Sequence, residues 1–226
     1  MVQNRQVTLL GDSILKGIQV DLGDRRYRTH NEINVEALES EFQLSIHNDA
    51  HFGATVRKGS RLLDRMLARK LPCDMMVMDF GGNDCDFDWQ AVSDRPEEAH
   101  LPKIPAEQFL ENYRALMDLV RQTASRVWIS SLVPLEAHRF LDHVSQGRSR
   151  ENILTWLGDT DRIFRWQEYY NDLVCRLSRE LSCPLLELRP EFLKDPAFPA
   201  LLSMDGIHPT QKGHDVIHRC VAEAIF

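Results

Sequence analysis

Five short apolar runs punctuate the chain: Gln6–Leu10, Gln43–His47, Asp74–Asp79, Arg126–Leu132 and Pro184–Leu188. Each has the length of a buried strand. Between them, apolar residues recur at spacings of three and four. In Pro105–Thr123, Phe109, Tyr113, Leu116, Met117 and Val120 share one face. In Asp161–Leu181 the stripe is Ile163, Trp166, Tyr170, Leu173, Val174 and Leu177, and in Gln211–Ile225 it is Val216, Ile217, Cys220, Val221 and Ala224. The spacing predicts amphipathic helices packed on a sheet.

Alternating strands and helices predict parallel strands joined by right-handed crossovers, and hence a three-layer α/β/α sandwich. In such sheets the loops leaving the carboxyl ends of the strands converge on one edge, where ligands bind. Chemistry is therefore expected just after each strand. Two connections are longer than crossovers require, residues 85–104 and 135–160. The first carries Phe87 and Trp89; the second carries His138, Arg139, His143, Arg148, Arg150 and Trp156. Long loops at that edge are candidate lids or specificity walls, although surface excursions without a role account for them equally well.

Composition narrows the class. The chain has 226 residues, 43% hydrophobic and 27% charged, which suits one domain spanning residues 1–226. The formal net charge is −7, and the basic residues are interleaved with acids, so no basic stripe marks a nucleic-acid partner. The five cysteines are scattered and form no CxxC pair, a pattern expected of reduced thiols in a cytoplasmic protein rather than of a disulfide frame or zinc site. Residues 1–5 show no signal-peptide pattern, and no apolar run reaches the length of a membrane span. A homodimer is compatible with the sequence, and no feature requires one.

Four loops carry candidate chemistry. The first strand ends in Gly11-Asp12-Ser13-Ile14. A serine where a strand turns into a helix exposes its hydroxyl at the active edge, and the helix N-terminus behind it offers N–H groups to an oxyanion. A helix cap explains Asp12 or Ser13 alone just as well. After the second strand comes Gly53, either a backbone N–H donor or a loop glycine. The third strand ends in Phe80-Gly81-Gly82-Asn83-Asp84; Asn83 there can donate to an oxyanion, or the segment can be a plain turn. Cys85 next to it reads as a small buried residue. The last loop, Asp205-Gly206-Ile207-His208-Pro209-Thr210, places Asp and His three apart. A serine hydroxyl needs a base to take its proton, and a carboxylate fixes the tautomer of that base. A turn with Thr210 as helix cap accounts for Pro209 and Thr210 but not for His208.

Taken together and in this order, the four blocks resemble the SGNH hydrolases, the GDSL-type esterase and lipase family. Ser13, Gly53, Asn83 and His208 stand where the family has its naming residues, with Ile14 in place of the usual Leu. The resemblance implies a five-stranded parallel sheet of flavodoxin-like order 2-1-3-4-5 and no metal or cofactor. It also implies Ser13 as nucleophile, His208 as base and Asp205 as the residue orienting that base. The N–H groups of Ser13 and Gly53 and the amide of Asn83 would form the oxyanion hole, with Asp12 and Asp84 in support. The expected activity is hydrolysis of small-molecule acyl esters, with short-chain or acetyl esters of a polar alcohol or carbohydrate favoured by the charged residues of the two long loops. The alternatives are a thioesterase or lysophospholipase with longer acyl chains, acyl transfer to an acceptor other than water, and a non-catalytic binding module on the same fold.

Overall fold

The computed structural model describes residues 5–20, 26–29, 35–70 and 72–225. Residues 1–4, most of the segment read for a signal peptide, lie outside them. In chain order the elements are β1 (Arg5–Gly11), β2 (Ile18–Val20), β3 (Tyr27–Thr29), α1 (Val35–Phe42), β4 (Leu44–Asn48), α2 (Val56–Ala68), β5 (Met75–Asp79), α3 (Trp89–Asp94) and α4 (Ala106–Val120). They continue with β6 (Arg126–Ser130), α5 (Ala137–Val144), α6 (Arg150–Leu157), α7 (Asp161–Glu180), β7 (Leu185–Leu186), α8 (Leu188–Leu193), a 3-10 turn (Phe198–Leu201) and α9 (Gln211–Ile225).

The central sheet runs β4-β1-β5-β6-β7, with every neighbouring pair parallel. This is the order 2-1-3-4-5 counted over the five long-range strands. Strand periodicity divides the core into two layers. Val7 and Leu9 of β1 and Met75 and Val77 of β5 face a cluster with Leu38, Phe192, Ile217 and Val221. Leu10, Met76 and Met78 face the other, with Leu63, Phe109, Tyr113 and Val174. The buried face of α4 is Phe109, Tyr113, Leu116, Met117 and Val120, the five residues that the spacing picks out. On α9, Ala224 lies on the exposed side, and Gly213 and His214 join the buried face instead.

The segment after β1 departs from expectation. Ser13 does not open a helix. Residues 13–17 form one turn, closed by Lys16 N–H donating to the Asp12 carbonyl and Ile18 N–H to the Ser13 carbonyl, 3.0 Å each. Gly17, at φ 75°, ends the turn. The chain then enters β2, which pairs antiparallel with β3. A single turn fixes dihedrals without the propagation that makes a helix cooperative, so no helix dipole stands behind Ser13.

Both long connections contain helices. The first holds α3 and the second holds α5 and α6. Each helix is capped by a side chain: Asp88 accepts from Gln90 and Ala91 N–H, Glu136 from His138 and Arg139 N–H, and Ser149 from Asn152 N–H. They share an apolar cluster of their own, including Phe87, Trp89, Phe140, Ile153, Leu157 and Ile163, above the carboxyl edge of the sheet.

Candidate active site

The four sequence blocks meet at the carboxyl edge. The loop after the 3-10 turn is pinned before it presents any chemistry. Leu202 bridges Pro209, Ser203 N–H donates to the His208 carbonyl at 2.7 Å, and Arg139 of α5 donates to the carbonyls of Pro199 and Leu202 at 2.7 and 3.0 Å. Gly206 holds φ 77°. A Cβ there would lie 2.5 Å from the Glu136 carbonyl oxygen, so only glycine lets this loop press against the start of α5. Thr210 follows as a cap of α9, accepting from Gly213 N–H at 3.4 Å.

This loop aims Asp205 and His208 at β1. Asp205 Oδ1 accepts from the N–H groups of Ile207 (3.2 Å) and His208 (3.1 Å). Its Oδ2 lies 2.7 Å from His208 Nδ1, and His208 Nε2 lies 2.9 Å from Ser13 Oγ. Ser13, Asp205 and His208 are only 6%, 2% and 3% exposed, so the relay is shielded from bulk water. Burial works to raise the Asp205 carboxyl, but the hydrogen bond and charge of His208 and the two N–H donors outweigh it and hold the group below its ordinary range. An ionised Asp205 on Nδ1 leaves Nε2 free to accept from Ser13.

Asn83 and Gly53 line the same cavity as Ser13 and His208. Asn83 Nδ2 donates to Asp12 Oδ2 at 2.9 Å, while Asp12 Oδ1 accepts from Ile14 N–H at 2.8 Å. Asp12 therefore ties the serine turn to the Asn83 amide and leaves the second amide hydrogen for the cavity. Gly53 sits at φ 65° with open space where a Cβ would stand. Among the described residues, neither its N–H nor that of Ser13 has a protein acceptor. Asp84 turns away from the cavity, and its Oδ1 accepts from Val56 N–H at the start of α2, 3.0 Å. It thereby locks the third block to the helix that follows the second.

Beneath these groups lie three buried carboxyls, Asp12, Asp79 and Asp84. Asp79 accepts from Ser130 Oγ at 2.7 Å. Burial pushes Asp79 up to about 6 and Asp84 up to about 7. Asp12 is raised well above its ordinary value by burial and by the charges of Asp79 and Asp84. Carboxyls held above their ordinary range in this way carry less negative charge under the place where an oxyanion would form.

Other residues complete the surroundings of His208. Phe52 stacks on the imidazole with ring centres 5.7 Å apart and planes inclined by 12°. Tyr27 packs against it at 5.1 Å, and its hydroxyl lies 3.1 Å from Nε2 of His143 on α5. The sequence gives no sign of Tyr27, because its approach depends on the short β2–β3 hairpin. Cys85 is a buried thiol whose Sγ lies 3.2 Å from the Gly82 carbonyl, and burial pushes it well up, away from the thiolate form that a nucleophile needs. The cavity in front of Ser13 has a volume of about 550 Å³ and continues between α3, α5, α6 and α7.

The arrangement provides a hydroxyl, a base on that hydroxyl, a carboxylate on the base, and three N–H donors at one cavity, the parts that acyl transfer requires.

Residues 9–216 match the GDSL-like Lipase/Acylhydrolase family. A search of curated proteins found no match. Among solved structures, the chain is similar to the lipase/acylhydrolase from Enterococcus faecalis, with TM-score 0.66 and 17% identity over 98% of this chain and 95% of that one. It is similar to a catalytic mutant of an acetylxylan esterase from Geobacillus stearothermophilus, with TM-score 0.68 and 17% identity over 100% and 96%. A carbohydrate acetylesterase family member from Sinorhizobium meliloti gives TM-score 0.65 and 17% identity over 98% and 97%. At such identities the likeness is one of fold. Among the described residues no helix is long and apolar enough to cross a membrane.

Proposed function

The chain belongs to the GDSL-like lipase/acylhydrolase family, and on that premise we propose that it hydrolyses acyl esters with Ser13 as nucleophile, His208 as general base and Asp205 as the residue that orients His208. One observation carries the proposal: the continuous hydrogen-bonded line Ser13 Oγ–His208 Nε2 (2.9 Å) and His208 Nδ1–Asp205 Oδ2 (2.7 Å).

Ser13 Oγ attacks the acyl carbonyl as Nε2 takes its proton. The carbonyl electrons move onto oxygen, where the N–H groups of Ser13 and Gly53 and the Asn83 amide receive the charge. Collapse breaks the bond to the alcohol oxygen, and the imidazolium returns the proton to that leaving group. Water then attacks the acyl-serine by the same route, releasing the acid and restoring Ser13. Loss of one oxyanion donor in such a site costs about 100- to 1,000-fold in turnover.

Two substrate readings have support. Short acyl or acetyl esters of a polar alcohol or carbohydrate accord with the acetylxylan esterase and carbohydrate acetylesterase among the structural relatives. Esters or thioesters with a larger apolar acyl group accord with the aromatic lining of the cavity.

The test is hydrolysis of p-nitrophenyl acetate and butyrate by the wild type and Ser13→Ala. The alanine variant is expected to fold normally and to lose at least about 1,000-fold in kcat. Wild-type turnover in Ser13→Ala would overturn the proposal.

A further inference from the structure

We propose that the arm of the cavity between α3, α5, α6 and α7 is a binding chamber for a bulky apolar moiety of the substrate. On the ester-hydrolysis reading, the protein then selects esters carrying a large hydrocarbon or aromatic group beside the scissile bond. The chamber itself stands on its own geometry.

The chamber and Ser13 line one cavity of about 550 Å³. That volume lies in the range that encloses most of a drug-sized ligand, well beyond an acetyl group. Its walls are Phe87, Trp89, Phe140, Trp156 and Trp166, joined by aliphatic residues such as Ile163. The rings hold one another at defined angles. Phe87 lies 4.8 Å from Trp156 and 5.8 Å from Trp89, and Trp89 lies 5.9 Å from Phe140. The wall is thus built before any ligand arrives.

The polar atoms of this wall are already spent. Trp89 Nε1 donates to Asp86 Oδ1 at 2.7 Å, and Trp166 Nε1 to the Cys85 carbonyl at 3.0 Å. Asp86 also pairs with Lys103 at 2.8 Å. Gln167 donates to the Val133 carbonyl (3.0 Å) and accepts from Arg189 (3.1 Å). The chamber therefore presents mainly hydrocarbon and ring surface. A sugar placed against these rings would lose its water and gain few hydrogen bonds in return, which is unfavourable for each hydroxyl left unpaired. An apolar group gains from the same burial. Arg148 and Arg162, also on the cavity, are exposed; Arg162 lies over the Trp156 ring at 4.8 Å and donates to the Trp156 and Leu157 carbonyls at 2.8 and 3.2 Å.

The apolar moiety can be the acyl group or the alcohol, and two series distinguish them. One is p-nitrophenyl acetate, octanoate and benzoate; the other is ethyl, octyl and phenylethyl acetate. In one series, kcat/KM of the wild type is expected to rise by at least about 10-fold from the small to the large apolar member. Trp156→Ala, which removes a half-buried wall ring, should reduce that preference by about 10-fold, and Trp156→Phe should restore most of it. Circular dichroism establishes that each variant is folded.

No preference in either series, or one that Trp156→Ala leaves intact, would overturn the inference. Saturable quenching of tryptophan fluorescence by octanoate in Ser13→Ala, weakened by Trp156→Ala and absent with xylose, supports the chamber even if no ester is cleaved. In that case the hydrolase reading fails alone. Quenching by xylose with none by octanoate would overturn the chamber alone.

Discussion

His208 is confined from three directions: Asp205 holds Nδ1, Phe52 covers one ring face and Tyr27 packs against the ring from another side. Tyr27 is in turn fixed through its hydroxyl to His143. Burial, with a smaller contribution from the Asp205 charge, keeps the phenol well above its ordinary value, so it remains a donor. Burial lowers His143, with the neighbouring Asp205 opposing and His208 adding to the shift, so it remains a neutral acceptor. A neutral hydrogen bond of this kind contributes about 0.5–1.5 kcal/mol. Tyr27→Phe is therefore expected to lower kcat by about 2- to 10-fold with little change in KM, because it loosens the clamp on the base. Steady-state kinetics decide; an effect confined to KM would make Tyr27 a substrate contact instead.

The residues named from sequence all reach the carboxyl edge because their types and order are tied to chemistry that a turn alone does not need. His208 had no role as a cap, and its distance from Ser13 proves to be that of a hydrogen bond. Tyr27, Arg139 and Asp79 were not legible as site residues. Tyr27 and Arg139 act through tertiary contacts from a short hairpin and a surface helix, and Asp79 reads as the ordinary end of a strand.

At the scale of elements, α4, α7 and α9 are legible because burial on one face imposes a period, and the five sheet strands because burial on both faces makes them short apolar runs. What escapes is α2, whose buried Val56, Leu62, Leu63 and Met66 follow the helical spacing without being picked out, and the short capped elements. The helices α3, α5 and α6 have six to eight residues, too short for periodicity to stand out among prolines and charges, although Asp88, Glu136 and Ser149 are the capping types that mark a start. The opposite error occurs at Ser13. Ile14-Leu15-Lys16 looks like a helical opening, but Gly17 and the pairing of Ile18–Val20 with Tyr27–Thr29 stop it after one turn. The proposed oxyanion donors are therefore individual N–H groups beside turns that Asp12 and Asp84 hold, rather than a helix end.

For the molecule as a whole, these buried carboxyls set a dependence of stability on pH. Asp79 and Asp84 titrate at about 6 and about 7 in the folded protein, against 3.8 ordinarily. Between the ordinary and the raised values, the native state holds protons that the unfolded chain has released. Stability is therefore fully present below the ordinary value and is lost as pH rises through the raised ones. Asp205 has the opposite sign: its contribution is present above its ordinary value and is lost as pH falls through the lowered one. Thermal unfolding is thus expected at a higher Tm near pH 5 than near pH 8. Asp84→Asn, which keeps an acceptor for Val56 N–H, should raise Tm near pH 8 and narrow the difference. An unchanged slope in that variant would show that Asp84 does not carry it.

Hydrolysis by the proposed route depends first on Ser13 being a nucleophile activated by His208. The most direct measurement is the reaction of the folded protein with a fluorophosphonate, followed by peptide mass mapping. The adduct is expected on the peptide containing Ser13, absent in Ser13→Ala and formed at least about 100-fold more slowly in His208→Ala. Labelling at another residue, or at Ser13 with a rate indifferent to His208, would contradict a Ser13 nucleophile activated by His208.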